Sequence, residues 1–296
     1  MIAREFSTSL APSHLQGAGV LITGCSSGIG QTTALHLTRC GFSVFASVRK
    51  EADAERLRSL QEPNLIPIYP LDLTRLDQIP GIVETITREL ARRGRKGLHA
   101  LINNAGGGTV APIELMDLDE FRIELQARVL GSVAMVQACL PMVRQANGRI
   151  VWIVTPATIP TPYVTSIHAC DFAINCIART LDLELKSWKI PNIMIRCGGI
   201  KTPAGLRTTQ DVELVLQNGP YERTALYQRS LQAWSKDMAA FDEKRTESEK
   251  VAEIVFRALC ARAPKQRYSI GYMAGAAAFL ESLPQPVADW ILKKRF

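Results

Sequence analysis

The chain has 296 residues, 47% of them hydrophobic and 21% charged. These are ordinary globular values that exclude a disordered or fibrous chain and fit one large domain or two small ones. Thirty-five Lys and Arg against 28 Asp and Glu leave a net charge of +7, which suits an anionic ligand, but the excess is spread along the chain. The densest basic run, Arg92-Arg93-Gly94-Arg95-Lys96, holds no aromatic residue to stack on bases, which argues against a nucleic-acid partner.

The longest wholly apolar stretch, residues 273–280, falls short of the ~18 residues that read as a membrane span. Residues 1–16 mix Arg4, Glu5, Ser7, Thr8, Ser9 and Pro12, without the apolar core of a signal peptide or the Arg-rich pattern of a transit peptide. The seven cysteines (Cys25, Cys40, Cys139, Cys170, Cys176, Cys197 and Cys260) include no C-x-x-C pair. They read as small buried hydrophobes in a reducing, cytoplasmic setting, not as disulfides or a metal site.

In chain order, β-branched runs at 19–23, 43–48, 65–69, 100–102, 149–154 and 192–196, with a last one at 267–270, predict strands. Helical patterns lie between them, at 28–39, 53–60, 76–92, 119–143, 166–188 and 247–261. This alternation predicts an α/β fold, a doubly wound parallel sheet covered on both faces. From 203 to 245 the alternation stops, and 210–217 and 222–239 read as helices of a cap over the carboxyl ends of the strands. The expectation is a single Rossmann-type domain over 1–296, with a helical substrate cap at 203–245 and a C-terminal tail at 264–296.

Thr23-Gly24-Cys25-Ser26-Ser27-Gly28-Ile29-Gly30 follows the first strand and opens a helix. Its glycines allow a tight turn and close backbone approach to a pyrophosphate, whose charge the helix N-terminus favours. Asp72-Leu73 follows the third strand, Asn103-Asn104-Ala105-Gly106 the fourth and Ile200-x-Thr202 the sixth. Together these motifs resemble the short-chain dehydrogenase/reductase family over about residues 17–205. The tail more loosely resembles the branch containing retinol-type and hydroxysteroid-type dehydrogenases. The resemblance implies that Gly24, Ser26, Ser27, Gly28, Ile29 and Gly30 hold phosphates and that Asp72 and Leu73 flank the adenine. It implies that Asn104, Ala105 and Gly106 line the ribose channel and that Ile200 and Thr202 meet the nicotinamide amide. After the second strand the chain runs Arg49-Lys50 with no acid before Glu51. Two cations suit a ribose 2′-phosphate, so NADP(H) is the expected cofactor.

The family's chemistry uses an Asn, a Ser and a Tyr followed four residues later by Lys. The register set by the helix ending Arg179-Thr180-Leu181-Asp182-Leu183-Glu184-Leu185 puts Ile167 at the Tyr position and Asp171 at the Lys position. Thr155 stands for the Ser, Arg128 for the Asn, and Gly198-Gly199 for a Pro-Gly. Ile167 cannot transfer a proton, and losing a general acid costs about 10²–10⁴ in rate. Arg128 and Asp171 are expected to form an ion pair; Tyr163 reaches toward the pocket from its loop, while His168 and Cys170 face other sides of the helix.

Three readings follow. The leading one is a repurposed enzyme for non-redox cyclisation, isomerisation or rearrangement of a small apolar metabolite, with NADP(H) retained without redox turnover and Asp171, Arg128, Thr155 and Tyr163 as its polar groups. The second is an NADPH-dependent reductase of a cationic, iminium-type or carbonyl substrate. The third is a non-catalytic scaffold. The helices at 119–143 and 166–188 match those that family members pair in dimers and tetramers, so a homodimer or homotetramer is expected. The basic segment 284–296, with Trp290 and Phe296, reads as a helix covering the pocket or a subunit interface, with membrane-surface contact as the alternative.

Overall fold

Six short, mostly apolar runs are largely buried between two helical layers and form strands, and a seventh, partly exposed run completes the sheet at its edge. These are β1 (Gly19–Ile22), β2 (Ser43–Ser47), β3 (Leu65–Ile68), β4 (Leu98–Asn103), β5 (Arg149–Val154), β6 (Asn192–Cys197) and β7 (Arg267–Ile270). The computed structural model describes residues 10–156, 159–206 and 208–295. Most of the leader reading of 1–16 therefore lies outside the described residues, as does Phe296. The strands make one parallel sheet in the order β3-β2-β1-β4-β5-β6-β7. β1, β2, β4 and β6 are buried at every position, the signature of a parallel sheet covered on both faces.

The helices are α1 (Gly28–Arg39), α2 (Glu51–Ser59), α3 (Ile79–Arg92), α4 (Leu118–Glu124), α5 (Gly131–Gln145), α6 (Thr165–Glu184), α7 (Pro203–Leu206), α8 (Thr208–Asn218), α9 (Tyr221–Asp242), α10 (Ser248–Cys260), α11 (Ala274–Glu281) and α12 (Gln285–Arg295). Alternate strand residues point into opposite layers. Ala100 and Ile102 share one apolar layer with Leu37, Val251 and Val255 of α1 and α10, whereas Leu101 shares the other with Ile86, Leu90, Met135 and Val143 of α3 and α5. Helix α3 shows why: Ile79, Ile82, Ile86 and Leu90 form one buried stripe at helical spacing.

Several long helices expected from periodicity are broken. The stretch at 119–143 contains a π-helical turn, Leu125–Leu130, between α4 and α5. A 3-10 turn, Leu76–Gln78, precedes α3, and α6 stops at Glu184 before a 3-10 turn, Lys186–Trp188, closed by Lys189 in the left-handed region. Taken together, the 28 residues Leu118–Gln145 are long and apolar enough to cross a membrane by length and composition, which a search for wholly apolar stretches overlooks. Here Met135, Val136, Cys139, Met142 and Val143 of that run pack into the core beneath the sheet. Between β6 and α10 stand α7, α8 and α9. Leu231 and Trp234 of α9 join Val110 and Val212 in a satellite apolar cluster separate from the two main layers.

Candidate active site

The strand order reverses between β1 and β4, and at such a switch point the loops leaving the carboxyl ends of adjacent strands diverge and open a crevice. The Thr23 hydroxyl accepts the backbone N–H groups of Asn104 and Ala105, both at 3.0 Å. The Asn104 amide donates to the carbonyls of Thr23 (2.9 Å) and Gly24 (3.0 Å). Two motifs 80 residues apart are thereby locked into one unit. Gly24 has φ +73, and a Cβ there would sit 2.8 Å from Ala105 Cα; one on Gly30 would sit 2.2 Å from the Gly24 carbonyl oxygen. Neither position tolerates a side chain. Ser27, at the start of α1, makes no side-chain capping bond, so the first N–H groups of that helix are left for an anion.

Ser47, at the end of β2, accepts Cys25 N–H on its carbonyl (2.8 Å) and Gly24 N–H on its hydroxyl (3.3 Å). Arg49 and Lys50 follow, both exposed. Sequence reasoning missed Arg56, which reaches from α2 to donate to the Ser26 carbonyl at 2.5 Å while paired with Asp53 at 2.8 Å. No local motif marks it, because its role depends on α2 lying beside the glycine turn. Asp72 accepts Thr74 N–H and O–H at 2.9 and 2.8 Å, Leu73 is buried, and Gly131 packs on the Leu73 carbonyl. Thr202 lies against Gly28 and caps Gly205 N–H at 3.1 Å. Ile200 is buried and bridges Thr246. Gly198 and Gly199 donate to the carbonyls of Ile270 and Tyr272 at 2.8 Å; a proline at 198 would lack that donor. The cradle thus fits a dinucleotide: an uncapped helix N-terminus, glycines where a Cβ would intrude, and free cations beside β2.

Beyond the cradle, the π-helical turn carries Arg128. Its guanidinium donates to the Gly107 carbonyl at 2.6 Å and to Asp171 Oδ1. The other carboxylate oxygen of Asp171 accepts the Thr155 N–H (2.9 Å) and the Thr155 hydroxyl (2.7 Å). The structure therefore brings Arg128, Thr155 and Asp171 into one unit. The pair is 11% and 2% exposed, and such π-helical turns often sit at functional sites. Ile167 lies against Gly108. Burial lowers the His168 pKa, opposed by Asp171, and its Nδ1 has no partner. Burial pushes the Cys170 thiol up to about 11, so it is a poor nucleophile. Tyr163 stands apart from the unit: its backbone is left-handed at φ +68 and its ring packs edge-on against Trp234 at 5.9 Å. A groove of about 860 Å³ between α6 and strands β6 and β7, lined by Phe172, Cys176, Arg179 and Met194, contains none of the unit's residues.

The family model described as short chain dehydrogenase matches residues 18–213. The chain is 30% identical over 277 residues to human (Homo sapiens) 11-beta-hydroxysteroid dehydrogenase type 2, covering 88% of this chain and 66% of that protein. It is 27% identical to mouse (Mus musculus) retinol dehydrogenase 7, covering 92% and 86%, and 28% identical to mouse estradiol 17-beta-dehydrogenase 2, covering 94% and 74%. Its fold matches a short chain dehydrogenase from Burkholderia cenocepacia in complex with NADP at a TM-score of 0.71 and 20% identity, covering 94% and 98% of the two chains. These findings correct the functional expectation. The relatives are named as dehydrogenases, oxidoreductases that move hydride, which overturns both non-redox cyclisation, isomerisation or rearrangement and the non-catalytic scaffold. The iminium reading is corrected with them, because these relatives are named for hydroxysteroids, retinol and estradiol.

Proposed function

Because the chain belongs to the short-chain dehydrogenase family, we propose that it is an NADP(H)-dependent oxidoreductase interconverting an apolar alcohol and its carbonyl counterpart, with an atypical proton-handling site. The observation that carries this reading is the Thr155–Asp171–Arg128 unit. By the sequence register of α6, its members would stand where the family keeps Ser, Lys and Asn, with Ile167 where it keeps the Tyr. Gly24, Ser26, Ser27, Gly28, Ile29 and Gly30 would hold the phosphates, Asp72 and Leu73 the adenine, Asn104, Ala105 and Gly106 the ribose, and Ile200 and Thr202 the nicotinamide amide. Arg49 and Lys50 would take the 2′-phosphate.

A bound nicotinamide would supply the hydride acceptor for oxidation and the hydride donor for reduction, and the chain's own residues manage the proton. A hydroxyl has one donor and two acceptor sites. The Thr155 O–H is spent on Asp171, so its lone pairs are left to accept a substrate hydroxyl. During oxidation the substrate O–H proton passes to Thr155 Oγ as the Thr155 proton passes to Asp171 Oδ2. Arg128 holds Asp171 in place through both steps. Reduction runs the same path backwards. An acceptor-only carboxylate serves oxidation better than reduction, so turnover favours the alcohol as substrate. Without a phenol, rates fall about 10²–10⁴ below those of the usual route.

The test is nicotinamide absorbance with NADP+ and a panel of steroid and retinoid alcohols, and with NADPH and the matching ketones or aldehydes. Expected is slow turnover of alcohols that Asp171→Asn lowers at least 100-fold per folded molecule. No absorbance change with any pair, or an Asp171→Asn variant as active as the parent, overturns the proposal.

A further inference from the structure

The groove of about 860 Å³ beside α6 shares no residue with the cofactor cradle or the Thr155–Asp171–Arg128 unit, and its lining has a chemistry of its own. The inner wall is buried and largely apolar, with Ala178 and Met194 almost fully covered, while Phe172 and Leu183 form an exposed outer wall. A concave, mostly apolar surface of this size takes up an apolar ligand body.

Donors without acceptors border that wall. Arg179 on α6 and Arg267 on β7 both line the groove, and neither makes a hydrogen bond or an ion pair among the described residues. Elsewhere on the surface Arg39, Arg58 and Arg88 each hold a carboxylate. Asp182 is the only acid in the described lining, and it accepts the Gln266 amide at 2.6 Å instead of pairing with Arg179. Asn175 adds a buried polar group: it is 7% exposed, its Oδ1 has no partner, and its Nδ2 bonds nothing among the described residues. Asn175 and Arg179 are one helical turn apart and therefore neighbours on α6. Arg267 stands opposite Met194 in the β6–β7 register. Two guanidiniums and an amide thus flank one apolar wall.

We infer that this groove binds an apolar carboxylate, a molecule of the fatty-acid class. The carboxylate accepts from Arg179, Arg267 and the Asn175 amide, and the chain lies along Ala178 and Met194. Hydrogen bonds from a guanidinium to a carboxylate are about twice as strong as neutral ones. A neutral alcohol of equal length keeps only the apolar part of the interaction, and an ammonium of that length is repelled.

The experiment is calorimetry of the full chain with decanoate, 1-decanol and decyltrimethylammonium, all below the concentrations at which they aggregate. Decanoate is expected to bind at least about tenfold more tightly than decanol. Cys176, an exposed thiol in the same lining, locates the site: decanoate slows its labelling by N-ethylmaleimide, read by peptide mass spectrometry, and decanol at equal concentration does not. Arg179→Gln with Arg267→Gln, checked by thermal melting to be folded, should bind decanol as the parent does and lose the preference for decanoate. Arg179→Glu with Arg267→Glu should favour the ammonium. Decanoate binding no tighter than decanol, unchanged Cys176 labelling, or a Gln variant that keeps the preference overturns the inference. So does a Cys176 closed to N-ethylmaleimide without ligand, as a second subunit filling the groove would make it.

Discussion

Removing Asp171 alone should hurt the protein more than removing Asp171 and Arg128 together. Asp171→Leu leaves a guanidinium 11% exposed with only the Gly107 carbonyl as partner, and breaking a buried pair in this way costs about 3–5 kcal/mol. Replacing both members by apolar residues, as in Arg128→Met with Asp171→Leu, removes both charges, which is often neutral or stabilising. The Thr155 N–H and O–H then lose their acceptor, a penalty of about 1–3 kcal/mol. The double variant should therefore lie within about 2 kcal/mol of the parent, giving a coupling of at least about 2 kcal/mol once both single variants are known. Urea unfolding followed by circular dichroism, with slopes checked for equality, measures it. Single variants costing less than about 1 kcal/mol, as exposed pairs do, would refute the reasoning. So would a double variant that costs the sum of the two singles. Turnover by the folded double variant should be at least 100-fold down, separating the pair's chemical part from its structural one.

Burial pulls His99 down from 6.5 to about 4 while it bonds the Leu259 carbonyl and stacks on Phe42. Stability held above pH 6.5 should be lost as pH falls through 4, by up to about 3 kcal/mol. His99→Phe should flatten that limb in urea melts at pH 7, 5 and 4, and an unchanged slope counts against it. Gly30→Ala, whose methyl would sit 2.2 Å from the Gly24 oxygen, should abolish NADPH binding by calorimetry. Arg49→Glu with Lys50→Glu should cut affinity for NADPH at least tenfold and leave NADH affinity within about threefold, since only the former carries the 2′-phosphate. Leu118, Ile123, Leu130, Phe172 and Leu183 are exposed apolar residues on the long helices. We propose that they pair subunits, so Leu130→Glu with Phe172→Glu should lower the mass seen by light scattering.

How much of this was readable in advance depends on how local each signal is. The glycine turn was legible because its demands are short-range: a strand, a left-handed glycine and a helix start within a dozen residues. The strands were legible because burial on both faces leaves a continuous apolar run. The π-helical turn at Leu125–Leu130 was not, because one extra residue per turn barely changes an apolar stripe and Arg128 gives no propensity cue. Arg56 was hidden for a different reason. Its acceptor, the Ser26 carbonyl, is 30 residues away and exists as a target only once α2 lies beside the turn.

The Arg128–Asp171 pairing lies between these cases. Neither residue signals anything alone, and 43 positions separate them. The register of α6 against β5 and the α4–α5 stretch nevertheless puts two opposite charges at one point of the fold. An interior that is costly for one charge accepts two when a third group satisfies the remaining lone pairs. Thr155 is that group, with both its N–H and its hydroxyl committed to the carboxylate. The same commitment makes the unit chemically usable. A hydroxyl whose proton already points at a carboxylate can accept a second proton only by passing its own along, and in the proposed mechanism that exchange would link a substrate oxygen to Asp171. Thr155→Val, with the same shape and no hydroxyl, should keep the ion pair and the fold. It should remove the link, lowering turnover at least as far as Asp171→Asn does while leaving NADPH affinity unchanged. A Thr155→Val variant that turns over like the parent would show that the proton leaves by another route.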